Sequence, residues 1–353
     1  MSNGSVTSRP LEAAIIGAGL MGRWHAHAVT RSGHRVVACV DPDHAAATTL
    51  ARRHDGAVPY TSLGAVQCKL DVVHVCTPLA SHRALIAESL ARGCHVVAEK
   101  PIGATVDEVR DLLRLAATEQ RLLVPVHQFL FQRGTLEAAR LLPSIGPLLH
   151  FEYTACTAGA VGRSDAEQDR VALEVLPHPL SLAARLLSMD LTAAAWTVRH
   201  PLPGELRADG TLRDVSISIV VSTHGRPTVN TLRLIGANGT VHMDLFHGFA
   251  VHLHGRATRG GKIVQPFVAG SSLVASAATN LVRRVMTREP AYPGLRELVQ
   301  RFYVAVATGG AAPISPGETM AVSAALAVIS NGMNHSPYPT AHVPSRARSE
   351  SAT

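Results

Sequence analysis

Three short stretches hold residue types that could do chemistry. The run Gly17-Ala18-Gly19-Leu20-Met21-Gly22 has G-x-G-x-x-G spacing. In such a run the first glycine permits a tight turn. The second lets backbone approach a pyrophosphate, and the third allows a helix to pack closely on a strand. A helix opening there presents free N–H groups and a partial positive charge to phosphate. Asp41 closes the next apolar run, where a carboxylate can accept both ribose hydroxyls and would repel a 2′-phosphate. This favours NAD over NADP; a structural glycine turn without a ligand is the competing reading. The second stretch is Val96–Gly103, VVAEKPIG. Of 33 Lys and Arg residues only Lys69, Lys100 and Lys262 are lysine. Codon bias explains the excess of arginine but not why a lysine sits at 100. The third stretch sets Glu174 four residues before His178. A histidine that titrates near neutrality can take up a hydroxyl proton, and a nearby ammonium can stabilise negative charge on oxygen.

Elements must bring these stretches together. Residues 12–17, 34–41, 71–77, 95–100 and 122–128 are apolar runs, separated by helical segments. Unbroken apolar strands alternating with helices predict a parallel sheet covered on both faces, the doubly wound Rossmann class. Thr105 and Glu108 form a capping-box signature for one of the helices. Beyond about residue 128 the pattern changes to long strands at 148–157, 193–200, 212–223, 228–236 and 240–255, with Asn238-Gly239 as a hairpin signal. Helices are expected at 134–142, 178–188, 272–288, 294–308 and 316–332. The fold class is therefore α/β: an N-terminal Rossmann domain at 11–128, then an α+β domain at 129–335 with a large, mostly antiparallel open sheet. Residues 1–10 and the Pro/Ser/Arg-rich 336–353 are expected to be disordered.

The chain resembles the glucose–fructose oxidoreductase / inositol 2-dehydrogenase / rhizopine-catabolism (Gfo/Idh/MocA) family. The resemblance rests on GAGLMG, on CTPLASH (Cys76–His82), on EKPIG (Glu99–Gly103), on PHPLSLA (Pro177–Ala183) and on ISPGETMAVSAAL near the C-terminus. It implies an NAD(P)-dependent oxidoreductase that moves hydride at an oxygen-bearing carbon of a sugar, polyol or sugar nucleotide. By position it implies that Lys100 is the active-site lysine, followed by a cis bond to Pro101, and that His178 is the general acid/base. Glu174 falls where the family usually carries aspartate, and Ser181 where it often carries a second one. Thr77, Pro78 and His82 match cofactor-lining positions, and Glu99 and Lys100 reach the nicotinamide side. His127, Gln128 and Arg163 are the candidate substrate contacts. Pro177, the absent glycine-rich run before the motif and the changed Glu174 and Ser181 put the usual substrates in doubt more than the hydride chemistry. The alternatives are a non-catalytic NAD-binding sensor, or a redox-assisted lyase, glycosidase or imine reductase on the same fold.

The bulk composition narrows the class. A net charge of +7 comes with only 4% aromatics and no basic stripe, so a nucleic-acid partner is not expected. No run is long enough for a membrane span and no export signal is visible, and the five scattered cysteines suit free thiols in a reducing cytoplasm. His252 and His254 share a strand face without a third ligand, so no metal site is expected. His25 and His27 are expected to be exposed helix residues. The open sheet is the expected surface for a homo-oligomer.

Overall fold

The computed structural model describes residues 9–255, 259–287 and 292–335. The expected disorder at residues 336–353, and at most of 1–10, lies outside them. The first sheet is wholly parallel, built from β1 (Glu12–Ile16), β2 (Arg35–Val40), β3 (Val58–Tyr60), β4 (Val72–Val75), β5 (His95–Ala98) and β6 (Leu123–Pro125). Its order is β3-β2-β1-β4-β5-β6, with the crossover that opens a ligand crevice between β1 and β4. Its helices are α1 (Leu20–Arg31), α2 (His44–Ala51), α3 (His82–Ala91) and α4 (Val106–Thr118). The strands are apolar along their whole length because both faces are covered: Ile15, Val72 and Val97 pack into one core cluster, and Ile16, Val73 and Val96 into another.

After α5 (Arg133–Leu141) a second sheet forms from β7 (Leu148–Cys156), β8 (Ala195–Arg199), β9 (Glu205–Leu212), β10 (Val215–Ser222), β11 (Val229–Gly236), β12 (Gly239–Asp244) and β13 (Phe249–His254). Its order is β13-β12-β11-β7-β10-β9-β8, antiparallel except for the β7–β10 pair. Two expected strands prove to be hairpins or parts of them. The run 212–223 turns at Arg213, whose φ is +54°, so that β9 and β10 pair. The run 240–255 breaks at Gly248, where φ is +85° and the Asp244 carboxylate accepts from the His247 amide. The remaining helices are α6 (Asp165–Val175), α7 (Pro177–Leu187), α8 (Arg259–Thr287), α9 (Leu295–Thr308) and α10 (Pro316–His335). The last two return to the first sheet: α9 packs on α1, and α10 lies against α4, α7 and β6. No helix among the described residues is long and apolar enough to cross a membrane.

Candidate active site

The glycine-rich turn divides its labour as the spacing predicts. Gly17 has φ +95°, and a Cβ there would lie 2.6 Å from the Cys76 carbonyl oxygen. A Cβ on Gly22 would lie 1.8 Å from the Gly17 carbonyl oxygen, so this glycine sets the helix–strand approach. Gly19 is exposed, caps α1 and has open space around its Cβ direction. Leu20 is 54% exposed and Met21 half-buried behind it. The turn therefore leaves an exposed helix N-terminus with nothing in front of its middle glycine, which fits a pyrophosphate. Asp41 sits at the end of β2. Its Oδ2 accepts from the Ala18 amide at 2.8 Å and its Oδ1 from the Asp43 amide at 2.9 Å. The same carboxylate thus ties the turn in place, and each oxygen keeps a lone pair for a ribose hydroxyl.

On the far side of the crevice, β5 delivers Glu99 and Lys100, and the Lys100–Pro101 bond is cis. The Lys100 ammonium donates to the Glu174 carbonyl at 2.8 Å. That carbonyl belongs to the last turn of α6, so the lysine satisfies one of the acceptors a helix C-terminus leaves open. α6 itself starts on a capping box made by Ser164 and Glu167, in the segment that replaces the glycine-rich run. Burial lowers the Lys100 pKa, against the pull of Glu99 and Glu174. Glu174 contributes its backbone to this contact; its carboxylate is exposed.

His178 lies in the first turn of α7 and stacks on Phe129, with ring centroids 4.3 Å apart. Burial, and then the charges of Lys100 and His127, hold its pKa well below the usual histidine value. His127 is 3% exposed, and burial followed by Lys100 brings its pKa to about 3. Nδ1 of each ring is buried without a hydrogen-bond partner, as is the Gln128 side-chain carbonyl oxygen. Orphaned buried polar atoms are costly unless something meets them, and these lie around the lysine that a substrate would approach. Ser181 is withdrawn from this group, since its hydroxyl donates to the His178 carbonyl.

A cleft of about 800 Å³ opens beside these residues, walled by Pro78, Pro101, Arg163, Arg170, Glu174 and Asn331 among others. Arg163 is exposed at its rim. Thr77 is half-buried and its hydroxyl accepts from Ser81. His82 departs from the expected direct role. Its ring is 1% exposed and lies between two carbonyls, Pro101 at 2.8 Å from Nδ1 and Thr77 at 2.7 Å from Nε2. It joins the loops after β4 and β5 instead of facing the crevice. His27 is exposed as expected, but His25 is fully buried. Its ring reaches Glu99 and His74, partners distant in sequence, which the local pattern could not reveal.

A parallel sheet with this switch point, glycine turn and terminal carboxylate has the form of an NAD(P)-binding Rossmann domain. Residues 11–127 match the sequence model of the oxidoreductase family with an NAD-binding Rossmann fold, Gfo/Idh/MocA. The chain is 38% identical over 114 residues to D-glucoside 3-dehydrogenase of Escherichia coli K12, covering 31% of this chain and 32% of that protein. It is 35% identical over 220 residues to inositol 2-dehydrogenase 4 of Saccharopolyspora erythraea, covering 56% and 59%. These matches thus span between about a third and three fifths of the relatives' lengths. The whole fold resembles UDP-N-acetylglucosamine 3-dehydrogenase from Acidithiobacillus ferrooxidans, with a TM-score of 0.74 at 16% identity over 93% of this chain and 99% of that one.

Proposed function

We propose that the protein is an NAD-dependent dehydrogenase or reductase acting at a carbinol or carbonyl carbon of a sugar, polyol or sugar nucleotide. One observation carries this reading: Lys100, His127 and His178 converge beside the crevice that the glycine turn opens, with buried nitrogens awaiting a partner. A bound nicotinamide supplies the hydride chemistry. The protein's residues do the rest. Gly17, Gly19, Leu20, Met21 and Gly22 hold the pyrophosphate, and Asp41 takes the ribose. Asp41 closes β2 beside the turn, so a 2′-phosphate would meet its carboxylate, which supports NAD over NADP.

Lys100 spends one of its three donors on Glu174 and keeps two for the substrate oxygen. His178 is held neutral by burial and the lysine charge, so it enters oxidation as an empty base. It accepts the hydroxyl proton as the hydride leaves the same carbon, and it returns a proton in reduction. Glu174 and Arg163 line the cleft on the side where substrate hydroxyls or a nucleotide phosphate would lie. The changed Glu174 and Ser181 leave the Lys100–His178 pair intact, which argues against a non-catalytic sensor. We place the protein in the cytoplasm on its five free cysteines.

Self-association is assigned to the open face of the second sheet. There Asp209, Ser218, Glu152, Arg233 and His242 form one cross-strand row. A Glu152→Arg chain that elutes with fewer subunits than wild type would support this.

The test of the activity is a panel of polyols, sugars and sugar nucleotides, followed by NADH absorbance. Turnover is expected with at least one class, and Lys100→Met should lower kcat about a hundredfold or more while still binding NAD+. Full turnover by Lys100→Met on the responding substrate would refute the assignment.

A further inference from the structure

Behind the site runs a line of buried polar groups that the mechanism above does not use. Glu99 Oε1 lies 3.2 Å from His25 Nε2. His25 Nδ1 lies 2.8 Å from His74 Nδ1, and His74 Nε2 lies 3.0 Å from the Tyr303 hydroxyl. His25, His74 and Tyr303 are each fully buried. They come from α1, β4 and α9, and only the Glu99 side chain, 14% exposed, reaches the crevice.

The proton positions follow by elimination. An ionised carboxylate can only accept, so His25 must carry its proton on Nε2. From the other end, Tyr303 must donate to His74 Nε2, so the one proton of neutral His74 sits on Nδ1 and is given to His25 Nδ1. Every donor in the line points toward Glu99. The far end cannot release a proton, because Tyr303 is a buried phenol held well above its usual pKa by burial and by Asp71. Burial likewise keeps His74 neutral. The opposite polarity would leave the tyrosine proton without an acceptor on this line.

We infer that Tyr303, His74 and His25 are positioning residues that hold Glu99 ionised at the nicotinamide end of the crevice, and that this fixed negative charge favours the cationic, oxidised nicotinamide over the neutral, reduced one. The inference rests on the dehydrogenase reading for its cofactor, but the hydrogen-bond line stands without it. Burial alone would raise the Glu99 pKa; the bond from His25, with Lys100 beside it, outweighs burial and brings it below the usual value. The groups facing Glu99 are His25 from α1, Cys76 from the end of β4, Lys100 from its own strand and His127 from beyond β6. Of these, Lys100 is the cation and His25 the direct donor. Removing the tyrosine hydroxyl frees His74 to reverse its tautomer. His25 would then reverse too and present an acceptor to Glu99, which the carboxylate can satisfy only by taking up a proton.

Two measurements decide the matter. In the cofactor-free protein, imidazole nitrogen NMR should find His25 protonated on Nε2 and His74 on Nδ1, both neutral at pH 7. The reverse tautomers, or an imidazolium at His74, would overturn the line. In the second, Kd for NAD+ and for NADH is measured from pH 8 to 5.5 in wild type, Glu99→Gln and Tyr303→Phe. Glu99→Gln should weaken NAD+ about tenfold and leave NADH within about twofold. Tyr303→Phe should match wild type at pH 8 and approach Glu99→Gln as the pH falls. A Tyr303→Phe protein with the wild-type NAD+/NADH ratio throughout would overturn the role of the line. A wild type that binds neither cofactor would overturn the dehydrogenase reading and the discrimination together, with the tautomers still deciding the line itself.

Discussion

At Gly19 an added methyl group would meet nothing within 4 Å, and its φ of −68° suits any residue. At Gly22 the same methyl would strike the Gly17 carbonyl. Gly19→Ala is therefore expected to change stability by less than about 0.5 kcal/mol, yet to raise Kd for NAD+ about tenfold by crowding the pyrophosphate. Gly22→Ala should cost about 3 kcal/mol or prevent folding. Urea denaturation with NAD+ titration separates the two. His127 gives a prediction in pH. Its folded pKa of about 3 lies below the unfolded value near 6.5, so acid loads the unfolded chain first. Stability from this residue is complete above about pH 6.5 and drains away as pH falls toward 3. His127→Gln should reduce the slope of unfolding free energy between pH 6 and 4 by up to about 1.4 kcal/mol per pH unit. The geometry of the glycine turn and the place of Asp41 at the end of β2 were legible in the sequence, because they follow from a short spacing; the role given to Lys100 came from the family resemblance, not from its spacing. His25 was not: its partner His74 lies 49 residues away, and a histidine on a helix gives no sign of which face will be covered.

Elements place the site through joints as much as through strands. His82 at the start of α3 is one such joint, its two ring nitrogens set against the carbonyls of Thr77 and Pro101. His82→Phe fills the space but removes the ring N–H that one of these carbonyls accepts from. The expected cost is about 1–3 kcal/mol by urea denaturation, with weaker NAD+ binding as both loops relax. A variant as stable as wild type would show that the joint is dispensable. Element boundaries were less legible than element types. β9 escaped the sequence reading because ELRADGTL carries charges and a glycine, poor strand formers on their own. Its place is set by tertiary structure: Gly210 lies under the Trp196 ring of β8, where a Cβ would come within 2.9 Å. β3 is three residues long and holds a proline, too little for a period to show. α8 begins before its expected start and runs through Pro266.

At the scale of the molecule, the two sheets share more than a border. Ile15 and Val72 of the first sheet, Phe151 and Ile217 of the second, and Phe302 and Tyr303 of α9 belong to one continuous core cluster. A fragment ending at residue 128 would expose the α1 face that α9 covers and strand His74 without its tyrosine. Such a fragment is expected to be insoluble or to lack a cooperative unfolding transition, as checked by circular dichroism on heating.

The Tyr303–His74 bond also spans 229 residues of chain. During synthesis the N-terminal third leaves the ribosome early, with all six strands of its sheet complete. It must then wait, with a polar seam open on one flank, until α9 emerges. The contact that closes last on that flank is also the one that ends the line of buried groups at Glu99.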